Sequence, residues 1–182
     1  MIVLASASPR REELFSIITK DFKIIPANID ETLPEGIDAE SAAEFLSVRK
    51  AKSVFEDNPS DTVIGCDTVV ICDGKNLGKP KDENDARRML LALSGKTHQV
   101  ITGCAIFKEG KSISFSETTL VTFYPLCQEE IDNYISTKEY SDKAGAYGIQ
   151  GYGSLLVEKI KGDYFNVVGL PVSKLNKILK KI

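Results

Sequence analysis

"HQVITGCAIFKEG" at residues 98–110 and "SISFSETTLVTFY" at residues 112–124 are two runs rich in β-branched and aromatic residues. Glu109-Gly110-Lys111 supplies a turn between them, so the pair reads as an antiparallel hairpin. Just upstream, "DENDARRMLLAL" (82–93) has helical spacing and stops at Ser94-Gly95, and "TVIGCDTVVIC" (62–72) reads as a strand ending at the turn "DGKN". Toward the N-terminus come a strand at 2–5, a helix from Pro9 to about residue 20, a strand at "FKIIPA" (22–27), and a helix capped by Asp38 that runs to about residue 56. That last helix carries Ala42, Phe45, Val48 and Phe55 near one face. Toward the C-terminus, "QEEIDNYIST" is a short helix, "SLLVEKI" (154–160) a strand, and "PVSKLNKILKK" a helix that begins with Pro171. Strands and helices interleave around the hairpin, which predicts an α/β fold with a mixed sheet flanked by helices. No linker interrupts residues 1–182, which fit one domain, or two small lobes around one core.

Composition narrows the function. Hydrophobic residues make up 42% of the chain and charged residues 27%, with 13 Gly and 7 Pro, the balance of an ordinary globular protein. The formal net charge of -3 gives no general attraction to nucleic acid or to anionic membrane, so basic residues act locally. The apolar start "MIVLA" has no basic leader and is too short to span a bilayer, which leaves the cytoplasm as the expected compartment. Cys66, Cys72, Cys104 and Cys127 form no CxxC pair and read as reduced, mostly buried thiols. His98, the only histidine, has no nucleophile and third partner to form a triad, and reads as a satisfied structural side chain.

Four stretches carry chemistry. Asp67 stands amid Val63, Ile64, Cys66, Val69, Val70 and Ile71, where a carboxylate is costly without a cation, a metal or several donors. In "SASPRR" (6–11), Ser8 caps a helix that opens with Pro9, which puts Arg10 and Arg11 in a first turn whose dipole disfavours cations unless an anion comes to them. "NIDE" (28–31) and the Lys79-Pro80-Lys81 loop could serve a cation and a phosphate, or be solvated turns. "SDKAGAYGIQGYGS" (141–154) is glycine-dense without being a Walker loop or a dinucleotide fingerprint, and reads equally as a compact turn or a binding loop.

Taken together, "LASASPRREEL", "IDE", "GCDTVV", "GKPKDENDARRML", "LSGKTHQVITG", "SDKAGAYGIQG" and "GDYFNVVGLP" resemble the Maf family of nucleoside triphosphate pyrophosphatases, in the family's order from residue 3 to about residue 173. The resemblance implies a mixed, twisted sheet flanked by helices, with two lobes and a cleft, as in inosine triphosphate pyrophosphatase-like folds. It implies hydrolysis between the α and β phosphates with a divalent cation, Mg2+ or Mn2+, and an association with nucleotide-pool house-cleaning and septum formation. By the same resemblance Asp67 activates water and Glu31 is the second acid, the two being the metal contacts. Arg10, Arg11, Lys50 and Lys79 neutralise the triphosphate, and Ser6 and Ser8 lie in its phosphate-binding turn. Arg11, Thr68 and Gln150 resemble the subgroup acting on dTTP and UTP. Strand alternation would send Asp67 and Thr68 to opposite faces, and a strand end or bulge near Gly65 would resolve this. The expected partner is a small nucleotide, with neither nucleic acid nor membrane, and the resemblance leaves room for a homodimer. A non-catalytic nucleotide sensor, or a pyrophosphatase for 7-methyl-GTP or inosine triphosphate, is the competing reading.

Overall fold

The structure, a computed structural model, describes residues 1–182. The strands are β1 (Ile2–Ala5), β2 (Lys23–Ile24), β3 (Thr62–Cys72), β4 (Lys75–Leu77), β5 (Thr97–Lys108), β6 (Lys111–Phe123) and β7 (Val157–Lys161). The helices are α1 (Pro9–Phe15), α2 (Ala42–Asp57), α3 (Glu83–Leu93), α4 (Gln128–Ser136), α5 (Tyr164–Val168) and α6 (Val172–Leu179). Hydrogen bonding orders the sheet β2-β1-β3-β5-β6-β7, with β4 also against β3. β1 pairs in parallel with β2 and β3, whereas β3/β4 and β6/β7 are antiparallel, so the sheet is mixed as the hairpin required.

The chain forms two compact units, to both of which β3, β5 and β6 contribute. The first holds residues 1–68, 102–117 and 169–182. Val3, Ala5, Val63 and Ala105 pack there with Ala51 and Val54 of α2, and Phe55 and Phe107 join them with ring centroids 5.6 Å apart. The second unit holds residues 69–101 and 118–168. Its core joins Val70, Leu90, Leu93, Val100, Val121, Phe123, Ile131 and Tyr134 to Tyr147 and Leu156.

Several elements differ from the sequence reading, each for a local reason. α1 ends at Phe15 rather than near residue 20, because Ser16 begins a run containing β-branched Ile17, Ile18 and Thr19, and its hydroxyl donates to the Glu13 carbonyl at 2.7 Å. The strand expected over 22–27 shrinks to Lys23–Ile24, since Pro26 has no N–H to continue the ladder. Asp73 and Gly74, at φ 49° and 73°, fold "DGKN" into a two-residue hairpin, and β4 is the strand that the plain turn reading missed. Residues 154–156 belong to a 3-10 segment, Gly151–Leu156, in which the Ser154 hydroxyl donates to the Gly151 carbonyl, so β7 starts only at Val157. Pro171 caps α6 instead of opening it. α2 is rotated from its expected face, burying Ala42, Ala43, Leu46, Ser47, Ala51 and Val54 and leaving Phe45, Val48 and Phe55 half-buried. No helix is long and apolar enough to cross a membrane.

Candidate active site

The rotation of α2 is what builds the acidic part of the site. A Cβ on Gly65 of β3 would stand 2.4 Å from the Ser47 carbonyl oxygen and 2.6 Å from the Ala51 nitrogen. One on Gly103 of β5 would stand 2.4 Å from the Ala43 carbonyl. The helix therefore turns its small residues, Ala43, Ser47 and Ala51, spaced four apart, onto two glycines. Asp67 lies two residues beyond Gly65, on the same face of the strand. Lys50 lies one turn from Ser47 and two from Ala43 on α2, and its Nζ reaches Asp67 Oδ1 at 2.6 Å and Glu31 Oε1 at 2.8 Å. The Lys50 and Asp67 side chains are 13% and 12% exposed and that of Glu31 is 54% exposed, so one shielded ammonium joins two carboxylates, one buried and one open to water.

Loop 28–32 is shaped to deliver Glu31. The Thr32 N–H and hydroxyl both donate to Asp30 Oδ1, at 2.9 and 2.7 Å, and hold the Asp30 carboxyl below the usual carboxylate range. Arg49 of α2 donates to the Thr32 carbonyl at 3.2 Å. Of the two neighbouring acids, Asp30 is used by its own turn and Glu31 by Lys50.

A second cluster surrounds Arg11. Ser8 caps α1 by accepting the Arg11 N–H at 3.4 Å, with Pro9 in the first turn, and the Ser8 N–H donates to Ser6 Oγ at 3.2 Å. The guanidinium donates from Nε to the Gly169 carbonyl at 2.8 Å, from Nη1 to Ser6 Oγ at 3.4 Å and from Nη2 to Thr68 Oγ1 at 2.9 Å. These partners are neutral oxygens, which orient the cation without cancelling its charge. Thr68 Oγ1 in turn lies 2.9 Å from Thr102 Oγ1 of β5. Gly169 has φ 128°, a backbone angle open to glycine and strained for other residues, and it turns the carbonyl that fixes Arg11.

Neither the strand end nor the bulge expected near Gly65 is present, since β3 runs on to Cys72. β3 stays in register with β1 from Thr62 to Gly65, and ordinary alternation sends Asp67 to α2 and Thr68 to α1 and β5. The two clusters are thus consecutive in the chain and joined through the Asp67–Thr68 peptide. Arg10 stands beside Arg11 in the first turn of α1.

Lys79 and Gln150 belong to the second unit, and both are exposed. The loop before Lys79 is tied to the glycine-rich stretch by the Gly145 N–H, which donates to the Gly78 carbonyl at 3.1 Å. Ala146, Tyr147 and Ile149 are buried, which anchors that stretch and leaves Gln150 on its surface. In the same unit His98 is 2% exposed, with Nε2 2.7 Å from the Tyr147 hydroxyl and Nδ1 without a partner, so it is only half satisfied. All four thiols are free. Cys66, Cys72 and Cys104 are buried, and Cys127 is exposed.

Three features of the site escaped sequence reasoning. The Lys50–Asp67 contact joins a helix to a strand 17 positions on, which no local pattern encodes. The Gly169 carbonyl lies 158 positions from Arg11. Thr102 did leave a signal, a hydroxyl between Ile101 and Cys104 of an apolar strand, the same kind of anomaly that singled out Asp67.

Comparison with known proteins adds a family and a fold. The family profile described as "Maf-like protein" matches residues 1–182. A protein named dTTP/UTP pyrophosphatase from Bacillus cereus (strain B4264) is 46% identical over 180 residues, covering 99% of this chain and 94% of its own. One of the same name from Bacillus velezensis is 48% identical, covering 99% and 95%. A solved HAM1 protein from Coxiella burnetii superposes with a TM-score of 0.59 at 14% identity, over 100% of this chain and 98% of the other, a likeness of fold alone.

Proposed function

Since the chain belongs to the Maf-like protein family, we propose that it hydrolyses dTTP and UTP between the α and β phosphates, releasing the monophosphate and pyrophosphate, as the names of its relatives state for them. The observation that carries this reading is Asp67, a buried carboxylate in the middle of β3, sharing the Lys50 ammonium with Glu31. In this reading the lysine that holds the buried acid also positions it as a proton acceptor. Asp67 takes the proton of the attacking water, and Lys50 keeps both carboxylates in place. Arg10 and Arg11 offset phosphate charge, Ser6 and Ser8 line the phosphate turn, and Thr68 with Arg11 faces the base. These phosphate and base roles, together with those of Lys79 toward phosphate and Gln150 toward the base, rest on the family resemblance.

Two carboxylates meeting at one ammonium form an oxygen-only donor pair, suited to a hard divalent cation such as Mg2+ or Mn2+. No third His, Cys, Asp or Glu joins them in a metal-holding group, so phosphate oxygens and water would complete the shell. Glu31 and Asp67 would hold that cation, which when bound supplies charge neutralisation at the phosphates. Such an activity acts on the cytoplasmic nucleotide pool.

The test is a panel of dTTP, UTP, CTP, inosine triphosphate and 7-methyl-GTP, with monophosphate and pyrophosphate both quantified. Equal yields of the two products from dTTP and UTP, abolished by a chelator, are expected. Binding without turnover would make the protein a sensor, and a preference for 7-methyl-GTP or inosine triphosphate would reassign its substrate.

A further inference from the structure

We propose that Cys66 of β3 and Cys104 of β5 are an oxidative modification site, a thiol pair that a hydroperoxide closes to a reversible disulfide beside Asp67. The functional reading above uses neither thiol. β3 and β5 are neighbours in the sheet, and both cysteines are fully buried and free. Their Sγ atoms lie 3.6 Å apart. Two residues along each strand, in opposite directions, Thr68 Oγ1 lies 2.9 Å from Thr102 Oγ1. The strands therefore run antiparallel here with Cys66 directly opposite Cys104, and the two pairs share one face of the sheet. A single buried cysteine serves as a small apolar filler, whereas two directly opposite, with their sulfurs in contact, bring together the atoms that a disulfide joins.

Closure consumes one molecule of hydrogen peroxide. One sulfur attacks a peroxide oxygen, the O–O bond breaks, and a sulfenic acid and water form; the second sulfur then attacks the sulfenic sulfur and expels another water. In sum two S–H bonds and one O–O bond break, one S–S and two O–H bonds form, and two electrons pass from the sulfurs to the peroxide. The outcome is the same whichever sulfur attacks first. Hydrogen peroxide is little larger than water, and the pair lies one step along the strands from half-buried Thr68 in the Arg11 cluster, a short path for an oxidant on local opening. Directly opposite residues of antiparallel strands have Cβ atoms about 4.5–5.5 Å apart, while a relaxed disulfide needs about 3.8 Å. The bond is therefore strained and easily reduced, as a reversible device requires. The sulfurs approach by about 1.5 Å, from 3.6 Å to a bond of ~2.05 Å. Side-chain rotation absorbs part of this and the strands absorb the rest, at positions adjoining Asp67 and Gly103, the two strand residues that meet α2. The 2.6 Å Lys50–Asp67 contact is thereby disturbed and turnover slows. That effect on turnover rests on the functional reading above; the bond itself does not.

The experiment treats the folded, fully reduced wild-type chain with hydrogen peroxide, blocks the remaining thiols under denaturing conditions and maps linked peptides by mass spectrometry, alongside the rate of pyrophosphate release from dTTP. A peptide pair joined through Cys66 and Cys104 is expected, with a rate lowered by roughly tenfold that dithiothreitol restores. In Cys66→Ala and in Cys104→Ala the same treatment is expected to change the rate by less than about twofold, since neither variant can form the bond. The inference is overturned by oxidation confined to Cys72 or Cys127, by a linked protein with an unchanged rate, or by an alanine variant that loses its rate as wild type does. The peptide map and the dithiothreitol reversal are read on wild type, so they decide the matter even where a variant fails to fold. A reduced protein that cleaves neither dTTP nor UTP overturns the functional reading instead, and the peptide map then still decides whether the pair closes.

Discussion

Adding one methyl group at Gly65 tests how the fold builds its active site. The new Cβ would stand 2.4 Å from the Ser47 carbonyl oxygen and 2.6 Å from the Ala51 nitrogen, both backbone atoms that cannot rotate away. Unstrained carbon–oxygen contact needs about 3.4 Å, so α2 must retreat from β3 by about 1 Å. That retreat carries Lys50 with it, and its 2.6 Å contact with Asp67 opens to about 3.6 Å, beyond hydrogen-bond range. Overpacking of this kind costs about 3 kcal/mol, or ~6–12 °C in melting temperature for a chain of this length. A misplacement of about 1 Å at a reacting group lowers the rate by roughly a hundredfold. Gly103→Ala is the matched control. It meets α2 equally closely, at the Ala43 carbonyl, but about two turns before Lys50, so it should cost similar stability and much less activity. Urea melts and initial rates of pyrophosphate release from dTTP provide both readings. A Gly65→Ala protein with wild-type stability and rate would refute the idea that α2 positions Lys50, as would equal rate losses in the two variants.

Lys50→Met leaves two carboxylates without their shared cation. The rate should fall by about 10²–10³-fold and stability by about 3 kcal/mol, measured by initial rates and denaturant titration. His98 should give the fold a distinctive acid sensitivity. Burial holds its imidazole neutral and lowers its pKa from 6.5 to about 4, so the unfolded chain binds a proton that the folded chain refuses over that interval. Its contribution is complete above pH 6.5 and is lost as pH falls toward 4, by about 3 kcal/mol in all. Denaturant titrations across this window should show that slope in wild type and a shallower one in His98→Leu, and equal slopes would contradict the assignment.

How much of this was legible in the sequence depends on whether the cause was local. The hairpin of β5 and β6, the Asp82-capped α3 and the full span of β3 are set by turn residues, caps and β-branched runs, and they were readable. Asp67 was readable because an acid in an apolar strand needs an explanation. The buried face of α2 was not. A wheel weighted toward Phe45, Val48 and Phe55 overlooks that glycines in two distant strands favour Ala43, Ser47 and Ala51 against the sheet. Lys50 followed from the family resemblance alone, because its partners come from a strand and a loop that only the folded chain brings to it. "DGKN" illustrates the opposite failure, since Asp-Gly between extended runs is a hairpin signal and β4 could have been found.

The central claim, that Asp67 is the base for pyrophosphate release, is tested most directly by the steady-state kinetics of Asp67→Asn on dTTP with Mg2+ present. Asparagine keeps the shape and a polar contact to Lys50 but does not accept the water's proton. A loss of about 10³-fold in kcat, with KM changed no more than a few-fold and the fold intact, is the expected result. A kcat within about threefold of wild type would contradict it.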